Sequence, residues 1–207
     1  MSLRHLLLAL ALAVPLAGCP TSPDDDDATG DDDDSTEQVD FRLWSPDFVS
    51  DENIDHDYDC DQALPEEFAC LSPNPEIRWE GAPEGTESFV LIFDDISPQY
   101  FGYPHWAILN IPADAEGLEA DISGSGAAGD IPAGSTELDN GFGEPGYVGS
   151  CPAGDSHYQW RLWALDTTLE AGLYEAIGNA RAAYEELAED AEDASLEMVS
   201  MCHVYES

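Results

Sequence analysis

Lysine is absent from this 207-residue chain. Its strong bases are five arginines, Arg4, Arg42, Arg78, Arg161 and Arg181, set against 45 Asp and Glu residues for a formal net charge of −40. A surface of that sign repels phosphate backbones at long range, which excludes ordinary nucleic-acid binding. It is also the composition of a chain adapted to a salty medium, where screening shortens to a few ångströms. Long apolar runs are missing too. The longest, Leu6 to Leu16, falls short of the roughly 20 residues a spanning helix requires. There is no G-x-S-x-G nucleophile elbow and no H-E-x-x-H zinc helix. Without a nucleophile a His and Asp pair does not make a hydrolase, so the chain reads as a non-enzyme with no cofactor and no metal.

What is present begins with Arg4 and His5, then the short apolar run, then Leu16-Ala17-Gly18-Cys19. That order resembles a bacterial lipoprotein signal, in which residues 1–18 are removed and Cys19 becomes the lipidated N-terminus. Residues 19–40 follow as a tether, with Asp24–Asp27 and Asp31–Asp34 as acidic blocks. Like charges repel and nothing apolar is available to bury, so the tether is expected to be extended. The folded domain is expected over 41–207, exported and lipid-anchored to the cell envelope, with the outer membrane favoured because Pro20, not Asp, follows the lipidated Cys. Once Cys19 is set aside, four cysteines remain, an even count that suits an exported protein with two disulfides. Three pairings are open; Cys60–Cys70 closing a local loop and Cys151–Cys202 tying down the C-terminus are favoured.

From Phe41 the chain reads as short strands broken by Pro, Gly and Asp. Ile77 to Trp79 alternates as a half-buried strand does, and Ser88 to Phe93 is a continuous apolar run suited to a strand covered on both faces. Trp106 to Ile111 and Tyr158 to Leu165 are further strands, and Leu196 to Tyr205 a last one. Leu173, Ile177, Ala180, Tyr184, Leu187 and Ala191 recur at helical spacing, predicting one amphipathic helix over 173–191. The acids at its end oppose the helix dipole and predict fraying. The fold class is therefore mainly β, an antiparallel sandwich with peripheral helices, one of them C-terminal.

Two other patterns carry little. Asp55, Asp57, Asp59 and Asp61 alternate, as a calcium site or as a solvated edge, without the turn glycine of an ordered calcium loop. Gly124-Ser125-Gly126-Ala127-Ala128-Gly129 matches a dinucleotide fingerprint in letters only, since Asp130-Ile131-Pro132 follows instead of a helix.

The candidate site comes from two stretches. Asp94-Asp95 is followed ten residues later by His105-Trp106, and Asn140 to Ser150 is a glycine-rich loop that leads through Cys151 to His157 and Tyr158. Glycine-bared amides, an imidazole and a phenol are donors suited to a small anion, and a nearby carboxylate can orient the imidazole. In order, Ser45-Pro46-Asp47-Phe48, the segment Trp79 to Phe89 with Gly81, Pro83, Gly85 and Thr86, His105-Trp106 with Asn110-Ile111-Pro112, the loop Asn140 to Gly149 and Ala164-Leu165-Asp166 resemble the phosphatidylethanolamine-binding protein family, in its bacterial Raf-kinase-inhibitor-like branch. The resemblance implies a β-sandwich with a small cavity for phosphate-like anions or phospholipid headgroups. Its site residues would be Asp95, His105, Gly149, His157 and Tyr158. It also admits a protein partner such as a protease. The chain departs from the family pattern twice. The segment after Asp95 is one residue shorter, so the family's second Asp is lost or replaced by Ser97, and Ser156 stands at the His of its His-x-Tyr, leaving His157 adjacent to Tyr158. His157 can share a face with Tyr158 only if a bulge or turn intervenes.

Overall fold

The continuous apolar run is the centre of the architecture. In the computed structural model, residues 39–48, 73–100, 102–123, 131–151, 154 and 156–205 are described. All fall within the unit Glu37–Ser207. Strands β1 (Arg42–Trp44), β2 (Ile77–Glu80), β3 (Ser88–Asp95), β4 (Tyr103–Pro112), β5 (Gly117–Leu118), β6 (Thr136–Glu137) and β7 (Ser156–Leu165) precede helices α1 (Ala171–Glu175) and α2 (Ala180–Asp193). Strand β8 (Ser195–Tyr205) closes the order. Five strands form one antiparallel sheet in the order β6-β4-β3-β7-β8, and three form a second, β1-β2-β5. Strand β3 lies in the middle and is buried from end to end, which is why its sequence does not alternate.

The two faces of the large sheet carry different partners. Phe89, Leu91 and Phe93 of β3, with Trp160 and Leu162 of β7, pack toward Leu43, Ile77 and Trp79 of the small sheet. The Phe93 and Trp160 rings stack at 3.9 Å between centroids, 9° from parallel. Burying an aromatic side chain of this size contributes about 2–3 kcal/mol. The opposite face, with Val90, Ile92, Ala107, Trp163 and Leu165, packs on Tyr174, Ala183, Tyr184, Leu187 and Ala191 of the helices. Between sheet and helix layer, Arg161 Nη2 donates to Asp94 Oδ2 at 3.0 Å.

The single helix expected over 173–191 is two helices. Gly178 takes a left-handed backbone (φ 67°), a conformation that only glycine adopts cheaply. Asn179 then caps α2, its side chain accepting from the Ala182 N–H at 3.0 Å. Leu173 and Ile177 consequently point outward, at 58% and 38% exposed, while Tyr174 is buried in their place. The acidic end of α2 continues to Asp193 rather than fraying. Two of its acids have donors: Asp190 accepts from the Tyr174 hydroxyl at 2.7 Å and Glu192 from the Trp163 indole at 2.9 Å. The strands expected over 77–79, 88–93, 106–111, 158–165 and 196–205 are all present, most of them extended by a few residues. Cys19, the tether as far as residue 38, Cys60, Cys70, the Asp55–Asp61 series and the 124–129 glycine segment lie outside the described residues. Among the described residues, no helix is long and apolar enough to cross a membrane.

Candidate functional site

A row of polar and aromatic residues crosses four strands at one end of the large sheet. Asp95 at the end of β3 pairs with Tyr103 of β4 on one side and Tyr158 of β7 on the other, and Tyr158 pairs with His203 of β8. Directly paired residues share a face, so these four side chains lie on the side that packs toward the small sheet. His105, two residues after Tyr103, joins them. The register of β3 against β4 shifts at this point, from Asp94↔Pro104 to Phe93↔Trp106. Both His105 and Trp106 therefore stand opposite Phe93. His105 takes the row end and Trp106 the apolar interior, where it meets Tyr147 and Trp160. The His105 ring lies 5.2 Å from Tyr158 and 5.1 Å from Tyr103, both edge-on, and the His203 ring stacks on Tyr158 at 5.0 Å.

The glycine-rich loop holds this arrangement from above. Asn140 pins it, donating to the Gly146 carbonyl at 2.9 Å and accepting from the Phe142 N–H at 2.9 Å. A Cβ on Gly141 would overlap the Tyr103 ring, so the loop passes that close only because the residue is glycine. Val148 and His105 are joined twice. The Val148 N–H donates to the His105 carbonyl at 3.0 Å, and His105 Nδ1 donates to the Val148 carbonyl at 2.8 Å. Gly149 also turns its carbonyl to the imidazole. The loop thus orients His105 with carbonyls, where an anion-binding set of amides and an orienting Asp95 were expected. Asp95 influences the ring through its charge, while its Oδ1 accepts from the Ser97 N–H at 2.8 Å. Ser97 in turn accepts at Oγ from the His157 N–H at 2.7 Å, and the Ile96 N–H donates to the His157 carbonyl at 2.8 Å.

These groups are nearly withdrawn from water: Asp95 is 3% exposed, His105 5%, Tyr158 1% and His203 fully buried. Burial disfavours the charged imidazole, lowering His105 to about 4 against the pull of the Val148 carbonyl and of Asp95. Burial, and then the neighbouring His105, lower His203 to about 3. Both rings are neutral at pH 7. Burial first, then the charge of Asp95, push the Tyr158 hydroxyl well up, so it stays a donor. The side chains of Ser150 and Ser156 face that hydroxyl. The Ser156 hydroxyl is buried without a well-formed hydrogen bond to any described residue.

Of the residues expected at the site, Asp95, His105 and Tyr158 are brought together, with Gly149 against His105. His157 is not. The register of β7 is unbroken from Tyr158 to Ala164 against β3, and from Ser156 to Ala164 against β8. Ser156 and Tyr158 therefore face the site, and His157 faces the other way. No bulge intervenes, so only the His157 backbone serves the site, by holding the turn after Asp95. Four contributors were not anticipated: Tyr103, Ser150, Ser156 and His203. The alternation Val199, Met201, His203, with the first two in the apolar interior, was the available signal for the last.

The chain belongs to the phosphatidylethanolamine-binding protein family, whose model matches residues 44–206. YbcL of Escherichia coli K12 is 41% identical over 106 residues, 48% of this chain and 57% of its own length, so that match spans just over half of the relative. LppC of Mycobacterium tuberculosis H37Rv, whose name carries the word lipoprotein, is 32% identical over 169 residues, 78% of each chain. The crystal structure of E. coli YbcL, presented as a new member of the mammalian PEBP family, aligns with a TM-score of 0.66 at 24% identity, covering 82% of this chain and 99% of that one. At that identity the likeness speaks for the fold.

Proposed function

We propose that the protein is an exported, lipid-anchored binding protein whose site takes a phosphate-like anion or a phospholipid headgroup, and that it is not an enzyme. The observation that carries the reading is the convergence of Asp95, His105, Tyr158, Ser150 and Ser156 at one end of the sheet. Hydroxyls and an imidazole gathered beside one another are donors and acceptors suited to a small polar ligand. The donors are neutral, and the site holds no arginine among the described residues. A bare dianion is poorly served beside Asp95 in so acidic a protein, and a zwitterionic headgroup is better served. The family and the name of LppC support the reading at a coarser level.

Titration of the purified domain with inorganic phosphate and with phosphorylethanolamine tests it. Saturable binding that weakens about tenfold or more in Tyr158→Phe, with unchanged melting, is expected. Binding of neither probe by the wild type removes the reading and leaves a protein-interaction module, such as a protease inhibitor, to be examined. The anchor is tested separately: Cys19→Ser should move the full-length protein from the membrane to the soluble fraction. The pairing of Cys151 with Cys202 belongs to the same proposal. The hydrogen bond between Ser150 and His203 at 3.1 Å brings the residues next to each of them to the β8 edge.

A further inference from the structure

Two imidazoles at the site are fixed in opposite proton states by partners that allow no choice. The indole of Trp160 can only donate, and its Nε1–H lies 3.2 Å from His203 Nδ1. That nitrogen is therefore bare, and in the neutral ring the proton sits on Nε2. Nε2 then donates to Ser150 Oγ at 3.1 Å. With its oxygen receiving that bond, Ser150 has its own proton free, and its side chain faces the Tyr158 hydroxyl. His105 has the reverse arrangement. A carbonyl can only accept, so the Val148 carbonyl at 2.8 Å from Nδ1 fixes the proton there and leaves Nε2 an acceptor.

We infer that His203 is a positioning residue. Held by Trp160, it turns the Ser150 hydroxyl into a donor beside Tyr158, so that one side of the site offers neutral donors while His105 Nε2 and the Asp95 carboxylate offer acceptors. This rests on the anion-binding reading above and deepens it. An oxyanion held between these sides must bring a proton of its own, as hydrogenphosphate does, or a tethered ammonium group. Sulfate brings neither at neutral pH, and its oxygens would meet acceptors with nothing to share. The chain would then select its ligand by proton content without a fixed cation, which suits a protein that has no lysine. Neighbouring hydroxyls also act in concert along such a chain, each bond polarising the next.

The test has a spectroscopic and a binding arm. Long-range ¹H–¹⁵N correlation spectra of the labelled protein distinguish bare from protonated ring nitrogens. The expected result is a bare Nδ1 in His203 and a bare Nε2 in His105. In titrations, wild type should bind phosphate at least tenfold tighter than sulfate. Ser150→Ala and His203→Phe should each weaken phosphate about 10- to 100-fold, and the double variant little more than either alone, because both remove one donor. Ser150→Thr, which keeps the hydroxyl, should retain most of the affinity. If His203→Phe does not fold, Ser150→Ala and the spectra still decide. Equal affinity for phosphate and sulfate overturns the inference, as does a His203 protonated at Nδ1 or a Ser150→Ala that binds like wild type; each leaves anion binding standing. Phosphorylethanolamine bound in preference to phosphate identifies the ammonium as the proton source and supports the inference. Wild type that binds none of the three probes overturns anion binding itself and this inference with it.

Discussion

Acid should unfold this protein through its two buried imidazoles, and the size of the effect can be worked out. His105 and His203 titrate at about 4 and about 3 in the folded state, both lowered by burial, against about 6.5 in an unfolded chain. The folded state keeps them neutral while the unfolded state takes up protons below pH 6.5. The stability they confer is complete above that value and is lost as the pH falls toward their folded values. Between pH 7.5 and pH 5 each costs about 2 kcal/mol, together about 4 kcal/mol. His105 faces Asp95, Tyr103 and Tyr158; His203 faces Tyr158, His105, Trp160 and Ser150. The many carboxylates complicate an absolute curve, because protonating them relieves repulsion across the surface. A difference measurement removes that background. His203→Gln offers an amide oxygen to Trp160 and an amide N–H to Ser150 but does not titrate. Urea unfolding at half-unit pH steps and constant ionic strength should show wild type losing about 2 kcal/mol more than the variant over this range. Parallel curves for the two proteins would refute the reasoning.

Other expectations follow from single contacts. Arg161→Leu leaves the Asp94 carboxylate buried beneath α2 with its ion-pair partner gone, which should cost about 3 kcal/mol in urea unfolding and be partly recovered by adding Asp94→Asn. Asn179→Ala removes the cap of α2 and should cost about 1 kcal/mol, read as a fall of roughly 3 °C in Tm. Peptide mapping without reductant should recover Cys151 joined to Cys202, and Cys151→Ser should lower the denaturation midpoint by the equivalent of about 2–4 kcal/mol; two free thiols in protein isolated without reductant would contradict the pairing.

Much of the sheet was legible because burial writes itself into composition. Ser88 to Phe93 is apolar throughout since both faces of β3 are covered, and Tyr158 to Leu165 shows its central position in its large side chains. The helix was legible in its second half only. Spacing alone counted Leu173 and Ile177 as part of one stripe, whereas Gly178 and Asn179 end one helix and begin another. The signal was there in the stop-and-cap order of those two residues, and periodicity outweighed it. At the site, Asp95, His105 and Tyr158 could be named because they lie beside strands with recognisable ends. His157 was open in the sequence because its position turned on whether β7 carries a bulge.

The second imidazole of the cluster was hidden for the same reason, acting on a different strand. His203 lies nearly a hundred residues beyond His105, and which residue of β8 faces Tyr158 depends on register alone. Leu165 pairs with Ser195, but Ala164 pairs with Glu197, so one residue is skipped at Leu196. From there the register runs unbroken to Tyr158↔His203. Without the skip, Tyr158 would pair with Cys202, and His203 would stand opposite His157 on the other face of the sheet. Ser150 would then lose its imidazole partner and Trp160 its acceptor. A bulge in β4 lets His105 and Trp106 share one face, and a bulge at the start of β8 turns His203 inward. The two neutral rings that define the site are therefore placed by irregularities in pairing, which leave no mark in the periodicity of a single strand.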